Sequence, residues 1–227
     1  MSEKMSVSEA IASRASVRAF LDTPVAEETV VSILERARWA PSGGNLQPWL
    51  VHVLMDGARD RLVATVQERM QQTPMGEGPE YSIYPPKLKE PYRTRRFDCG
   101  EALYGSIGIP REDKMGRMVQ FARNFEFFGA PVGLMISVDR QMGSDQWSDI
   151  GMFMQSVALL AREEGLDTCL QEAWAVWPKT VGEFLGLPEE HMLFCGIALG
   201  HADTEAPINN WRTERAELAE FATILRE

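Results

Sequence analysis

The stretch of residues 147–164 constrains the fold of this 227-residue chain more than any other feature. Its helical pattern places apolar side chains on nearly every side, namely Ile150, Met152, Phe153, Met154, Val157, Leu159 and Leu160. A helix without a polar face has to be buried all round, in a core or against another subunit. Methionine-rich stretches usually fill a core, but a subunit interface also explains the missing polar face. The chain is long enough to bury such a helix within one domain.

Helical and strand patterns alternate irregularly along the chain, which predicts an α+β fold. Ser6 and Glu9 form a capping box for a first helix, whose predicted inner face carries Val7, Ala10 and Ile11. Further helices are predicted over residues 27–39, over residues 59–71, from Pro178 and near the C-terminus. Apolar runs predict buried strands at Leu50–Met55, 132–138 and 193–199, and Gly165 ends a helix before a short strand.

Residues 40–49 (Ala-Pro-Ser-Gly-Gly-Asn-Leu-Gln-Pro-Trp) connect a predicted helix to a predicted strand. Adjacent glycines let the backbone N–H groups approach a ligand closely, and the two prolines stiffen the flanks. Ser42, Asn45 and Gln47 add hydrogen-bonding groups that a turn alone does not require. Taken alone, the segment fits an ordinary connection and a ligand-binding loop equally well.

Basic side chains alternate in residues 14–20 (Arg-Ala-Ser-Val-Arg-Ala-Phe). In an extended strand Arg14, Ser16 and Arg18 point to the same side, where two guanidiniums and a hydroxyl can grip a phosphate. A solvated edge strand is the competing interpretation. The chain has 33 acidic and 23 basic residues, and concentrated basic groups near the start of so acidic a chain favour an anion site.

Residues 73–108 form a long insert rich in proline and tyrosine, including Tyr84 and Tyr92. A stretch this long without periodicity is either disordered or a functional covering loop, and its aromatic content favours the loop. We therefore expect a lid or wall over a ligand site.

Composition excludes several classes of function. A net charge of −10 argues against a nucleic-acid partner. The sequence contains no run of 18 apolar residues, so no membrane span is predicted. The start of the sequence lacks a signal-peptide pattern, and three widely separated cysteines provide no disulfide framework, so we expect a reducing cytoplasm. The three histidines show no metal-ligand spacing, and we predict no metal. Phosphate-loop, nucleophile-elbow and dinucleotide motifs are also missing, so the reactive group of an enzyme would be an organic cofactor.

Three motifs in order resemble those of the FMN-dependent nitroreductase family. They are Arg-x-Ser-x-Arg-x-Phe from residue 14, Ala-Pro-Ser-Gly-Gly-Asn-x-Gln-Pro-Trp from residue 40 and Gly-Leu-Asp-Thr-Cys-x-Gln-Glu-Ala from residue 165. The long insert and the tail Asn-Trp-Arg-Thr-Glu-Arg resemble the branch that includes nitrobenzoate and nitroaromatic-herbicide reductases. The resemblance implies a single FMN-binding domain over residues 1–227, with a central mixed or antiparallel sheet flanked by helices. It also implies an interlocked homodimer with FMN at the interface.

The resemblance assigns FMN contacts residue by residue. Arg14, Ser16 and Arg18 would hold the phosphate and the polar edge of the flavin, and Arg215, helped by Arg212, would close on the phosphate. The flavin would also be reached, partly from the partner chain, by Pro41, Ser42, Gly43, Asn45 and Gln47. Leu170, Glu172 and Ala173 would lie beneath the isoalloxazine, with a backbone N–H near Glu172 facing flavin N5. This chain departs from the family pattern at Ala173, where glycine is frequent, and at Thr213, where lysine is common.

The resemblance further implies reduction of small nitroaromatic substrates by NADPH or NADH in a ping-pong reaction. No side chain is expected to act as a catalytic acid or base. Asn124 and Phe125 would border the flavin, and Tyr84 and Tyr92 of the insert would contact the substrate. Reductive dehalogenation, enone reduction, flavin destruction and flavin binding without turnover are the alternative functions.

Overall fold

The computed structural model describes residues 5–226, so the first four residues considered above for a signal peptide lie outside it. The helices are α1 (Val7–Ser13), α2 (Glu27–Ala37), α3 (Asp56–Gln72), α4 (Tyr92–Gly105), α5 (Lys114–Ala122), α6 (Ser144–Glu163), α7 (Pro178–Leu185) and α8 (Leu218–Phe221). The strands are β1 (Leu50–Met55), β2 (Val132–Asp139), β3 (Asp167–Gln171) and β4 (His191–Gly200). Short 3₁₀ turns occupy Gly43–Asn45, Arg123–Gly129, Glu172–Val176 and Pro207–Asn209. None of the described helices is long and apolar enough to span a membrane.

The strands form one antiparallel sheet in the order β1-β2-β4-β3, which confirms the predicted α+β class. The central strands β2 and β4 are buried over most of their length, as their apolar runs predicted. The prediction that β1 is buried was wrong. It is an edge strand with Leu50 and Val53 exposed, because only one of its neighbours is a strand.

Two hydrophobic layers enclose the sheet. One layer contains buried side chains of α2 and α6, and the other contains those of α3, α7 and the 3₁₀ turns. Trp174, in the turn that follows β3, is completely buried. Its indole lies against Gly196 of β4, where an added Cβ would come within 2.4 Å of the ring. The lack of a side chain at Gly196 therefore allows this turn to pack directly on the sheet.

Helix α6 is not buried on every side within one chain, which leaves the subunit interface as the open alternative for residues 147–164. Ile150 and Val157 are fully buried, whereas Met152 is exposed. Helix α1 shows the same difference, because Ala10 is buried while Val7 and Ile11 are exposed. The capping box of α1 is present as predicted. The apolar side chains that these helices leave exposed are not covered by any part of the chain that the structure describes.

The insert of residues 73–108 is more regular than its sequence indicated, since its second half forms helix α4. Its first part is irregular but attached to the sheet layers. The carboxylate of Glu77 accepts hydrogen bonds from the backbone N–H groups of Lys179 (2.9 Å) and Thr180 (3.1 Å) at the start of α7. The Tyr81 hydroxyl donates to the carbonyl of Phe194 on β4. These contacts with α7 and β4 thus hold this part of the insert in place.

Candidate functional site

Residues 14–20 run as an extended segment beside β3 and do not form a regular strand. A single parallel bridge joins Ser16 to Thr168, and the N–H of Val17 donates to the Thr168 carbonyl over 3.0 Å. Val17 is buried. Because side chains alternate along an extended backbone, Arg14, Ser16 and Arg18 face away from Val17. The predicted alternation is therefore present, although the strand is not.

These three side chains line a cavity of about 430 Å³ together with Arg212 and Arg215 of the tail. Cys99 of α4 contributes to its wall. Residues almost 200 positions apart in the sequence are thereby brought together. The basic tail and the basic N-terminal segment, which the sequence shows as two separate features, form one site.

The cavity carries an uncompensated positive charge. Four arginines line it, whereas no aspartate or glutamate does among the described residues. Burial, with Arg215 and Arg212 nearby, holds the pKa of Arg14 below its ordinary value. The Arg14 guanidinium makes no hydrogen bond to any residue in the described range. Buried cations are normally paired, so this cluster has the chemistry of an anion site, with phosphate as the matching bidentate ligand.

Arg212 and Arg215 differ in what their guanidiniums contact. Arg212 donates to the backbone carbonyls of Ala12 and Ser13 at 2.8 Å each, and to that of Arg14 at 3.4 Å. The hydrogen bonds of Arg215 reach only its own segment, through Thr213 and Glu214. Arg212 thus lies at the predicted cavity, but two of its nitrogens are directed to the end of α1.

Asn209 is a residue of the site that sequence reasoning missed. Its side-chain oxygen accepts from the N–H of Arg18 over 2.8 Å, and its Nδ2 donates to the carbonyls of Ala19 and Asp203, also at 2.8 Å. The sequence shows it only as one of two adjacent asparagines in a polar tail. Nothing in that local pattern points to a contact 191 residues away.

The end of β3 lies beside the arginine segment. The parallel bridge between Ser16 and Thr168 aligns the two segments, so that Leu170 of β3 lies level with Arg18. Glu172 and Ala173 then begin the 3₁₀ turn. Glu172 is exposed in the single chain, although partial desolvation of its carboxyl raises its pKa. The first and third sequence motifs thus meet within one chain.

Asn124 and Phe125 lie near this turn but differ in exposure. The side chain of Gln171 donates to the carbonyl of Asn124 over 2.8 Å, which ties the two turns together. Phe125 is only 4% exposed and packs edge-on against Trp174 and Trp177. In the single chain Phe125 is therefore a core side chain.

Residues 41–47 lie apart from the arginine cavity and contact α6. The N–H of Gly43 donates to the buried carboxylate of Asp149 over 3.1 Å, and Trp49 stacks on Phe153 with ring centroids 4.9 Å apart. Pro41 is among the exposed residues of this loop. The single chain brings no residue of this loop into the lining of the arginine cavity.

The loop backbone is strained. Asn45 and Gln47 have φ values of 58° and 50°, in the left-handed region that non-glycine residues rarely adopt. The Ser42 hydroxyl accepts from the N–H of Gln47 over 3.0 Å and stabilises this conformation. Strain of this kind is concentrated at ligand-binding sites, because a simple connection has no need of it.

Tyr84 and Tyr92 are exposed and do not line the arginine cavity. The guanidinium of Arg96 lies 4.0 Å from the ring centroid of Tyr84. Within residues 5–226, no cluster of histidine, cysteine, aspartate or glutamate has the arrangement of a metal site.

Comparison with known proteins gives consistent results. A family model described as the nitroreductase family matches residues 11–201. A nitrobenzene nitroreductase of Ectopseudomonas oleovorans is 38% identical over 221 residues, which cover 97% of each chain. A 4-nitrobenzoate reductase of Pseudomonas putida is 37% identical, covering 94% of this chain and 92% of the relative.

Solved structures agree with the fold. A structure described as the FMN- and NADPH-dependent nitroreductase NfnB from sphigopyxis sp. strain HMH superimposes with a TM-score of 0.95 at 48% identity, covering 98% of this chain and all of the other. The FMN-dependent nitroreductase NfnB from Mycobacterium smegmatis, in complex with NADPH, gives a TM-score of 0.91 at 30% identity, with 96% and 97% coverage.

Proposed function

The chain belongs to the nitroreductase family, and we propose that it reduces small nitroaromatic compounds with FMN as cofactor and NADPH or NADH as reductant. The observation that carries the proposal is the uncompensated arginine cavity. The relatives named as nitrobenzene and 4-nitrobenzoate reductases support the choice of nitroaromatic substrates over halogenated compounds or enones.

The residues of the cavity fit the phosphate of FMN. Arg14, Arg18 and Arg215 supply charge, and Ser16 supplies a hydroxyl. Half-buried Arg14, which has no hydrogen-bond partner among the described residues, gains one when a phosphate is present. From this anchor the flavin would extend along the end of β3, past Leu170, Glu172 and Ala173. When bound, FMN supplies the site's ability to accept a hydride and pass electrons on.

In this scheme the protein itself positions the cofactor and polarises it. The 3₁₀ turn at Glu172 offers backbone N–H groups at a place fixed by the packing of Trp174 on the sheet. Arginine charge stabilises the anionic form of a reduced cofactor. We assign no side chain as catalytic acid or base, and we infer that reductant and nitroaromatic occupy the same space in turn. Tyr84 and Tyr92 are exposed aromatic side chains, and we infer that they line the substrate site of the partner chain.

We propose that the enzyme is a homodimer of single-domain chains. The solvent-accessible surface of one chain is 13722 Å², whereas a compact monomer of 25.5 kDa exposes about 10,400 Å². The excess of about 3,300 Å² means that the single chain is less compact than a typical monomer, as segments that pack on a partner would make it. Exposed Val7, Ile11 and Met152 provide apolar surface for such packing.

The dimer also accounts for the loop of residues 41–47. In one chain this loop lies apart from the arginine cavity, yet its backbone is strained in the manner of a ligand loop. We infer that Pro41, Ser42, Gly43, Asn45 and Gln47 act on the flavin held by the partner's arginines. A cytoplasmic location follows as a proposal from the thiol content and the cofactor.

Three measurements test the function. Purified protein is expected to carry or bind FMN, to run as a dimer in light scattering and, in the absence of oxygen, to oxidise NADPH or NADH continuously only when a nitroaromatic is supplied. Parallel double-reciprocal plots are expected from the alternating occupancy. A protein that binds no FMN, or that binds it but never consumes reductant, refutes the enzyme assignment.

A further inference from the structure

We propose that Asn209 and Arg212 are positioning residues of the phosphate site. They hold residues 12–19 in the conformation in which Arg14, Ser16 and Arg18 face one cavity. The proposal rests on the proposed function, since it concerns how the phosphate of FMN is gripped. The expected role of Arg212 thereby changes from binding the phosphate to holding residues 12–19 in place.

Arg212 completes helix α1. The last carbonyls of any helix lack partners within it, and basic groups there are stabilising. Helix α1 has no basic residue in its last turn. Arg212 supplies one from 200 positions later, donating through Nη1 to Ala12 and through Nη2 to Ser13.

This contact also has an electrostatic consequence for the cavity. The C-terminal end of a helix carries partial negative charge, and Arg14 caps α1 at that end. A phosphate held by Arg14 would therefore meet repulsion from the terminal carbonyls. Because Arg212 binds those carbonyls, it neutralises the repulsion while it fixes the point where the arginine segment begins.

Asn209 fixes the other end of the segment. Residues 14–18 are joined to β3 on one side by the bridge from Ser16 to Thr168, and Phe20 forms an antiparallel bridge with Ala202. On the other side, Asn209 accepts from the N–H of Arg18 and donates to the carbonyl of Ala19. The N–H of Asp203 also donates to the carbonyl of Ala19 over 3.0 Å, so the amide of Asn209 and the backbone of Asp203 together hold this side of the segment. The further bond of Asn209 to the Asp203 carbonyl ties it to the turn before the tail.

Arg215 offers a matched control. It lines the same cavity, but its hydrogen bonds reach only Thr213 and Glu214. Removing Arg215 should therefore remove a phosphate contact without loosening residues 12–19. Removing Arg212 should loosen them.

The experiment uses Arg212→Ala, Asn209→Asp and Arg215→Ala in the full chain. Hydrogen exchange of the FMN-free protein is measured, followed by the Kd for FMN and for riboflavin, which lacks the phosphate. Asn209→Asp keeps the shape of the side chain but places an oxygen against the carbonyls of Ala19 and Asp203.

We expect Arg212→Ala and Asn209→Asp each to raise exchange at residues 12–19 at least about tenfold. The Kd for FMN should rise about tenfold or more, and the Kd for riboflavin less than about twofold. Arg215→Ala should weaken FMN binding with exchange unchanged. If Arg212→Ala prevents folding, Arg212→Lys is used, because a single ammonium retains the charge but cannot serve two carbonyls in the same fork.

Two results overturn the proposal. Weakened FMN binding in Arg212→Ala with unchanged exchange at residues 12–19 makes Arg212 a direct ligand. Equal loss of FMN and riboflavin affinity, or exchange raised throughout the chain, reduces both residues to a general structural role. If the wild type binds neither compound, the proposed function fails, while the exchange measurements still decide whether the two residues hold the segment.

Discussion

Replacing Arg14 should affect the FMN-free and FMN-bound proteins in opposite directions. In Arg14→Met the apolar part of the side chain remains, but the half-buried charge next to Arg215 and Arg212 is removed. Without FMN, that charge is desolvated and repelled, so its removal should leave the free energy of unfolding unchanged or raise it. With FMN, one bidentate phosphate contact is lost. Hydrogen bonds to charged groups contribute about 1.5–3 kcal/mol each, so losing both bonds of this contact costs about 3–6 kcal/mol and raises the Kd about 150- to 20,000-fold.

The assay is thermal unfolding with and without FMN, combined with titration of FMN fluorescence. Added salt should raise the melting temperature of the FMN-free wild type more than that of Arg14→Met, because screening relieves repulsion only where Arg14 is present. Arg38→Met is the matched control, since Arg38 pairs with Glu35 on the exposed face of α2 and should change neither quantity. A Kd within about fivefold of the wild type, or an FMN-free variant destabilised by more than about 1 kcal/mol, would contradict the assignment of an anion site.

Three further predictions test other parts of the molecule. Gly196→Ala should lower stability by about 1–3 kcal/mol in urea unfolding, because the new Cβ meets the Trp174 ring at 2.4 Å. Partial desolvation raises the pKa of Glu172, so the folded state binds its proton more tightly than the unfolded chain does, and stability falls as the pH rises from its ordinary pKa of 4.5 to the raised one. Glu172→Gln should therefore gain stability over the wild type above that window and match it below pH 4, and an advantage that persists at low pH would refute this account. Met152→Lys should shift the dimer towards monomer in light scattering and reduce FMN retention with it, and a stable dimer would remove α6 from the interface.

The class of fold and most elements could be predicted because they depend on local patterns. Continuous apolar runs identified the central strands, and the capping box and Gly165 marked helix ends. The predictions were wrong where the burial of an element depends on which other element packs against it. Leu50–Met55 has the composition of a core strand, yet it is an edge strand, and nothing within six residues distinguishes the two. The exposed side of α6 has the same cause, because the sequence shows an apolar face but not which chain covers it.

Residue types indicated the chemistry of the site, whereas the division of roles among them required the three-dimensional arrangement. Arg212 and Arg215 are three positions apart in one basic tail, and both line the cavity. Only the structure shows that Arg212 reaches the carbonyls at the end of α1 while Arg215 contacts its own segment. Asn209 was missed for the same reason, since its role depends on hydrogen bonds to three backbone groups that folding brings around it. Sequence motifs record the side chains that meet a ligand, but the groups that hold those side chains in place contact only backbone, which any sequence provides. An anion site built on an extended segment without a full strand ladder therefore depends most on residues that carry the weakest sequence signal.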